Sequence, residues 1–183
     1  VYLEGCAHLQ QSFPAARILF TSSSSVYPQT DGSGVTEDSD ASPDRETSRL
    51  LRETEELVLS RGGCVARLAG IYGPGRSFVL KNFLEGTASI EGNDGNGRCL
   101  NQIHRDDAAT ALVKLVTTRQ QGIFNVVDDM PMTQRECFTA LARRFRKPVP
   151  PVAEPDMNRK RAWTHKRLSN SKLRATGWAP RYP

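Results

Sequence analysis

The stretch Ile18-Leu-Phe-Thr-Ser-Ser-Ser-Ser-Val-Tyr27 constrains the fold more than any other part of the chain. An apolar, β-prone run stops in a block of serines and restarts at Val26-Tyr27. A buried strand with that ending carries hydroxyl donors and acceptors to the carboxyl edge of a sheet, where ligands bind in open α/β folds. Further along, Val65-Ala-Arg-Leu-Ala-Gly-Ile-Tyr-Gly-Pro-Gly-Arg76 repeats the logic, an apolar strand running into a Gly/Pro turn and an arginine.

The rest of the sequence is consistent with a layered α/β domain. At 183 residues, 38% hydrophobic and 25% charged, the chain can bury a real core and has the composition of a globular protein. No apolar run reaches the ~20 residues of a membrane span, which argues against a membrane partner. The four cysteines are scattered without a C-x-x-C pair, so they read as reduced thiols of a cytoplasmic protein and not as a disulfide frame or a metal site. The net charge of +5 is concentrated in Arg143-Arg144-Phe-Arg146-Lys147 and from Arg159-Lys-Arg161 to Lys166-Arg167. These read as solvated faces with a few phosphate contacts. No aromatic-interleaved basic ribbon supports nucleic-acid binding. The chain opens on Val1, already in helical spacing, and reads as a piece of a longer protein.

Periodicity predicts a helix over residues 1–12, a strand over 16–21 and a long surface loop over 28–43. The strongest helix follows at 44–61, with Leu50, Leu51, Thr54, Leu57 and Val58 on one face and Gly62-Gly63 as its stop. Strands are expected at 64–68, 99–103 and 122–127. Short helices are expected at 77–84 and 169–176, and a helix capped by Asp106 runs through Leu115. Residues 86–97 look like a hairpin or flexible loop, and the four prolines of 148–155 like an extended connector. Thr133-x-x-Glu136 is a capping box that opens a helix to about Phe145. Strands alternating with helices specify a helix-covered parallel sheet. The expected fold is α/β: the C-terminal portion of a Rossmann-like, doubly wound sheet over residues 1–147, with lobe insertions at 77–103. A connector and part of a small C-terminal α/β substrate-side lobe follow at 148–183.

Five segments, in order, resemble the extended short-chain dehydrogenases/reductases, or NAD-dependent epimerase/dehydratase family. They are Phe20-Thr-Ser-Ser-Ser-Ser-Val-Tyr27, Arg67-Leu-Ala-Gly-Ile-Tyr-Gly-Pro-Gly-Arg76, Ile103-His-Arg-Asp-Asp107, Gly122-Ile-Phe-Asn-Val-Val127, and Leu168-Ser-Asn-Ser-Lys-Leu-Arg174 with Gly177-Trp178. The resemblance implies a dinucleotide cofactor, NAD or NADP, and a small-molecule substrate such as a nucleotide sugar; it also allows a homodimer. It implies that Ser23 is the catalytic serine. Thr21, Ser22, Leu68, Ala69 and Gly70 would lie along the cofactor, and Tyr72 and Arg76 would hold substrate.

Two departures stand against the resemblance. The family's Gly-x-x-Gly-x-x-Gly phosphate loop is absent from the chain. The helix that should carry Tyr-x-x-x-Lys reads Glu46-Thr-Ser-Arg-Leu-Leu-Arg-Glu-Thr-Glu-Glu56. The tyrosine position falls on Thr47 or Ser48 and the lysine on Leu51 or Arg52. A tyrosine needs a nearby cation to act as acid/base at neutral pH, and none of the four tyrosines here has a lysine four residues on. An atypical, YeeZ-like group within the superfamily shares the Arg-rich helix and the Tyr-Gly-Pro-Gly-Arg turn.

Each candidate has a plainer reading beside the functional one. Strand-end serines satisfy turn backbone groups, and Arg76 is equally a surface turn residue. Arg52 either replaces the lost lysine at a ribose or phosphate or pairs with Glu55 or Glu56. His104 reads as a packed residue, and Asp106 and Asp107 as helix-start residues. The sequence therefore leaves two functions open: a family enzyme without its proton-transfer pair, or a non-catalytic scaffold that senses a dinucleotide or binds a protein.

Overall fold

The structure, a computed structural model, describes residues 2–42, 45–92, 94–156 and 163–183. Val1, the Pro43-Asp44 boundary of the expected loop and helix, and the basic Arg159-Lys-Arg161 run lie outside the described residues.

The elements are α1 (Tyr2–Ser12), β1 (Leu19–Ser23), β2 (Gly34–Val35), α2 (Glu46–Leu59), β3 (Cys64–Leu68), β4 (Gly70–Tyr72), α3 (Phe78–Glu85), β5 (Ile90–Glu91), β6 (Cys99–Leu100) and β7 (Gln102–His104). They continue with α4 (Arg105–Thr117), β8 (Gly122–Val126), β9 (Met132–Thr133), α5 (Gln134–Phe145), β10 (Val152–Ala153), β11 (Arg167–Leu168) and α6 (Ser171–Arg174). The central sheet is parallel in the order β1-β3-β8, with rows such as Phe20, Val65 and Ile123 in register. Each strand-to-strand link contains a helix, as parallel pairing requires.

Side chains alternate across this sheet. Phe20, Val65 and Ile123 pack toward α1 and α2 with Cys6 and Val58. Cys64, Ala66, Phe124 and Val126 face the other way, into the larger core with Ala108, Ala111 and Leu115 of α4. Helices thus cover both faces, which is the Rossmann-like architecture. A separate cluster of Phe83, Ala88, Ile90, Phe138 and Ala142 joins α3 to α5. Residues 86–97 do not form a self-contained hairpin: Ile90 and Glu91 pair in parallel with Val152 and Ala153. The connector therefore supplies a strand to this lobe.

Several boundaries shift for physical reasons. β1 runs through Ser23, two residues beyond the apolar run, because its neighbour β3 keeps it paired to that point. The expected strand at 99–103 divides into β6, antiparallel to β9, and β7, parallel to β4. The cap of α4 is His104, whose Nδ1 accepts from the Asp106 amide at 3.3 Å; Asp106 itself sits inside the first turn. Leu50 is exposed, and Glu55 is fully buried on the helix face expected to be apolar. Gly63 allows the close return from α2 into β3, since a Cβ there would lie 2.5 Å from Val58 Cγ1 and 2.9 Å from the Ile18 carbonyl oxygen.

The Thr133 capping box is present, with Glu136 accepting from the Thr133 amide at 2.7 Å and Thr133 accepting from the Glu136 amide at 3.2 Å. Thr133→Ala is expected to lower stability by about 1 kcal/mol. Urea unfolding of the two proteins measures this, and equal midpoints would show that the box contributes nothing.

Candidate functional site

The carboxyl edge of the sheet carries a row of polar residues in register: Ser22 on β1, Arg67 on β3 and Asn125 on β8. All three are buried. They follow the apolar row Phe20, Val65 and Ile123 by two residues, so they lie on the α2 face. A buried polar row must be paired internally to be tolerated, and here helix α2 and the turn after β1 supply the partners.

Glu55 of α2 is the hub. Its carboxylate accepts from Ser22 Oγ at 2.6 Å, from Arg67 Nε at 3.1 Å, from Arg67 Nη2 at 2.7 Å and from Arg52 Nη1 at 2.6 Å. Burial alone pushes the Glu55 carboxyl up, but the hydrogen bonds from Arg67, Ser22 and Arg52 outweigh it and hold the group below the ordinary glutamate value. Arg67, 1% exposed, lays its guanidinium over the Tyr27 ring at 4.7 Å. Its buried Nη1 has no hydrogen-bond partner among the described residues. Tyr27 Oη donates to Asn125 Oδ1 at 2.8 Å, and the Asn125 amide donates to Glu37 Oε1 at 2.7 Å.

The serines divide between the two faces. Thr21 is exposed and Ser23 half-buried, on the face opposite Glu55. Ser22, grouped with Thr21 by the family resemblance, is instead consumed by Glu55, because alternate residues of a strand point to opposite sides. Ser23 Oγ accepts from the Ser25 amide at 3.2 Å and so caps the 3-10 turn Ser24–Val26. A hydroxyl carries one donor and two acceptor positions, so its hydrogen stays available to a ligand.

Helix α2 offers no tyrosine or lysine to this edge. At the tyrosine position Thr47 is exposed, while Ser48 is buried and donates to the Ser25 carbonyl at 3.4 Å. At the lysine position Leu51 packs on the core. Arg52 lies against Glu55 and, at 3.5 Å, Glu56, so the ion-pair reading of this residue is the one the structure adopts.

Leu68, Ala69 and Gly70 carry the chain out of the sheet into β4. The Ala69 amide donates to the Val126 carbonyl and the Gly70 amide to the Asn101 carbonyl, both at 3.0 Å. Tyr72 meets the His104 ring edge-on at 5.3 Å, and Tyr182 lies over the same imidazole at 4.0 Å. The Gly73-Pro-Gly-Arg76 turn closes through reciprocal backbone bonds of 2.8 and 2.9 Å, leaving Arg76 exposed. Gly75 takes φ +73° there, a conformation suited to glycine. Asp107 accepts from the amides of Arg181 and Tyr182, both at 2.9 Å, and so holds the C-terminal residues against α4.

Composition alone did not single out Glu55, Arg67, Asn125 or Lys166. Two were visible as anomalies, an arginine inside the apolar Cys64–Leu68 strand and a glutamate in phase with Leu51 and Val58. Lys166 corrects the solvated-face reading of its basic run, since it is 3% exposed. Arg143, Arg144, Arg146 and Lys147 do lie on the surface. The four cysteines are free, three of them buried, and burial pushes the Cys64 thiol up to about 11. Among the described residues, no group of His, Cys, Asp and Glu is arranged to hold a metal ion, and no helix is long and apolar enough to cross a membrane.

No family model matches the chain. Among solved structures, it superposes on a protein from Methylobacillus flagellatus assigned to the NAD-dependent epimerases/dehydratases, with TM-score 0.79 and 25% identity, covering 99% of this chain and 64% of the other. UDP-glucose 4-epimerase of Thermus thermophilus, solved with NAD, gives TM-score 0.80 at 22% identity, with 100% and 66% covered. In fold and sequence the chain is similar to the extended short-chain dehydrogenase/reductase, or NAD-dependent epimerase/dehydratase, family. The chain is YeeZ-like: it is 33% identical over 149 residues to protein YeeZ of Escherichia coli K12, and equally to that of strain O157:H7. The match takes in 78% of this chain and 52% of YeeZ, so the chain spans about half the length of the curated relatives it matches.

Proposed function

We propose that the protein binds a nicotinamide dinucleotide, NAD or NADP, along the carboxyl edge of β1 and β3 and presents a small molecule, such as a nucleotide sugar, to the hydroxyl of Ser23. The observation that carries this reading is the capped serine turn, which fixes the Ser23 oxygen and leaves its hydrogen free at the ligand edge of the sheet. Thr21 and the backbone of residues 68–70 would flank the nicotinamide end, while Tyr72 and Arg76 would meet the substrate farther out. When bound, the dinucleotide supplies hydride chemistry. The chain's own residues supply orientation: Ser23 donates a hydrogen bond, and the Glu55–Arg67 pair holds helix α2 against β3, the neighbour of the strand that carries Ser23.

The fit is good at the serine and poor at the ribose. With Arg52 engaged by Glu55, the lysine position presents no free cation for the ribose diol, and the tyrosine position no phenol for proton transfer. That arrangement favours the second function open in the sequence, a non-catalytic scaffold that senses a dinucleotide. Titrating NAD and NADPH into the protein by calorimetry, then assaying UDP-sugars for turnover, tests both parts. Saturable binding without turnover is expected. Rapid turnover would overturn the scaffold reading, and absence of any binding would overturn the dinucleotide itself.

A further inference from the structure

Lys166 reaches the serine turn from the opposite end of the chain. Its ammonium, 3% exposed, donates to the Tyr27 carbonyl at 2.6 Å. Tyr27 closes the turn that Ser23 opens, since its amide donates to the Ser24 carbonyl at 3.3 Å. The segment carrying Lys166 is itself fixed against the loop after the turn. The His165 amide donates to the Gln29 carbonyl at 3.0 Å, the Gly32 amide to the His165 carbonyl at 2.8 Å, and the Arg167 amide to the Ser33 carbonyl at 2.9 Å. Asn101 holds the same segment from the other side, donating to the Lys166 carbonyl at 2.9 Å and accepting from the Leu168 amide at 2.8 Å.

A buried ammonium is costly in an apolar setting, and a hydrogen bond from a charged donor is about twice as strong as one between neutral groups. By comparison, the contact from α2 to the turn is the long 3.4 Å bond from Ser48. We propose that Lys166 is the positioning residue of the serine turn, fixing residues 23–27 through the Tyr27 carbonyl and thereby the direction in which Ser23 meets a ligand. The inference rests on the dinucleotide reading for its consequence but not for its geometry. It makes the C-terminal segment, in place of the helix that lacks tyrosine and lysine, the part of the chain that sets the site.

Lys166 is also placed to feel pH. Burial, and then the nearby Arg98, lower it to about 8. The groups around it are Tyr27 from the turn, Arg98 and Cys99 from the β6 side, and its neighbour His165, whose Nδ1 accepts from the Cys99 amide at 3.1 Å. Arg98 is paired with Glu91 at 3.3 Å. Above the lysine's titration the neutral amine still donates to the carbonyl, and the cost of holding a buried charge is gone.

Amide hydrogen exchange on the whole chain tests this without any ligand. Lys166→Met keeps the length and apolar stem of the side chain and removes its donor. The Ser25 and Tyr27 amides are expected to exchange at least about tenfold faster in that variant near neutral pH, with α4 and β3 protection unchanged, as loss of a charge-assisted bond implies. Unchanged exchange of the turn in a folded Lys166→Met protein would overturn the proposal. If the variant does not fold, wild-type exchange of the Ser25 and Tyr27 amides at the intrinsic rate of an unstructured loop would overturn it instead. Calorimetry with NAD and NADPH separates the two inferences. A wild type that binds neither overturns the dinucleotide reading, and a variant that binds as the wild type does, with an unchanged turn, overturns the role of Lys166 alone.

Discussion

Glu55→Ala is expected to cost about 3–5 kcal/mol, the range for removing one partner of a buried ion pair and leaving the other charged and uncompensated. The loss is large because one carboxylate serves Ser22, Arg67 and Arg52 together. Arg67 cannot turn to water, since it is 1% exposed and stacked on Tyr27. Arg52, a quarter exposed at its side chain, can do so and softens the loss. The companion variant carries Glu55→Leu and Arg67→Met together, and it should recover most of the stability because no buried charge remains. Urea midpoints at neutral pH for the wild type, the single and the double variant decide the matter. A single variant that loses less than about 1 kcal/mol would show that the network is no more than a surface-grade contact.

The second large effect concerns Asp128, just past β8. Burial, with Asp129 and Asp107 nearby, pushes its carboxyl up to about 7, against the bond it accepts from the Met130 amide. Its unfolded value is about 3.9. Between these two pH values the folded protein holds a proton that the unfolded chain has released, so stability falls as pH rises through the window. A shift of about three pH units corresponds to about 4 kcal/mol at most. Partial solvent access reduces this to about 2 kcal/mol. Asp128→Asn should therefore be about 2 kcal/mol more stable than the wild type at about pH 7.5 and equal to it near about pH 4. Thermal unfolding across this pH range measures both. A variant that gives no gain at the upper end would mean that the carboxylate is well solvated.

Much of the fold was legible because apolar period and capping chemistry dictate it. The Cys64–Leu68 strand, the Gly62-Gly63 stop and the Thr133 box all express local preferences, and local preferences are what a sequence states directly. The two-residue ladders were not legible: Gly34–Val35 with Arg167–Leu168, and Ile90–Glu91 with Val152–Ala153. Their residues carry no strand signal, and each pair exists because the chain happens to return beside itself.

The site divides along the same line. Ser23 could be found from the strand ending and the family resemblance. The partition of Ser22 from Ser23 required knowing that β1 extends to Ser23, which depends on β3. Glu55 and Arg67 were each odd in their own element, and only the register of the sheet shows that the two oddities answer one another.

The bond between Lys166 and Tyr27 spans 139 residues of chain. Contacts this distant form late, because loop closure must come before they can stabilise anything. The serine strand and its helices have local partners and can assemble early. A ribosome releases the strand first and the segment that closes its turn last. The serine turn is therefore completed after the strand that carries it, by the same C-terminal segment that brings Leu168, Leu173 and Trp178 into the core.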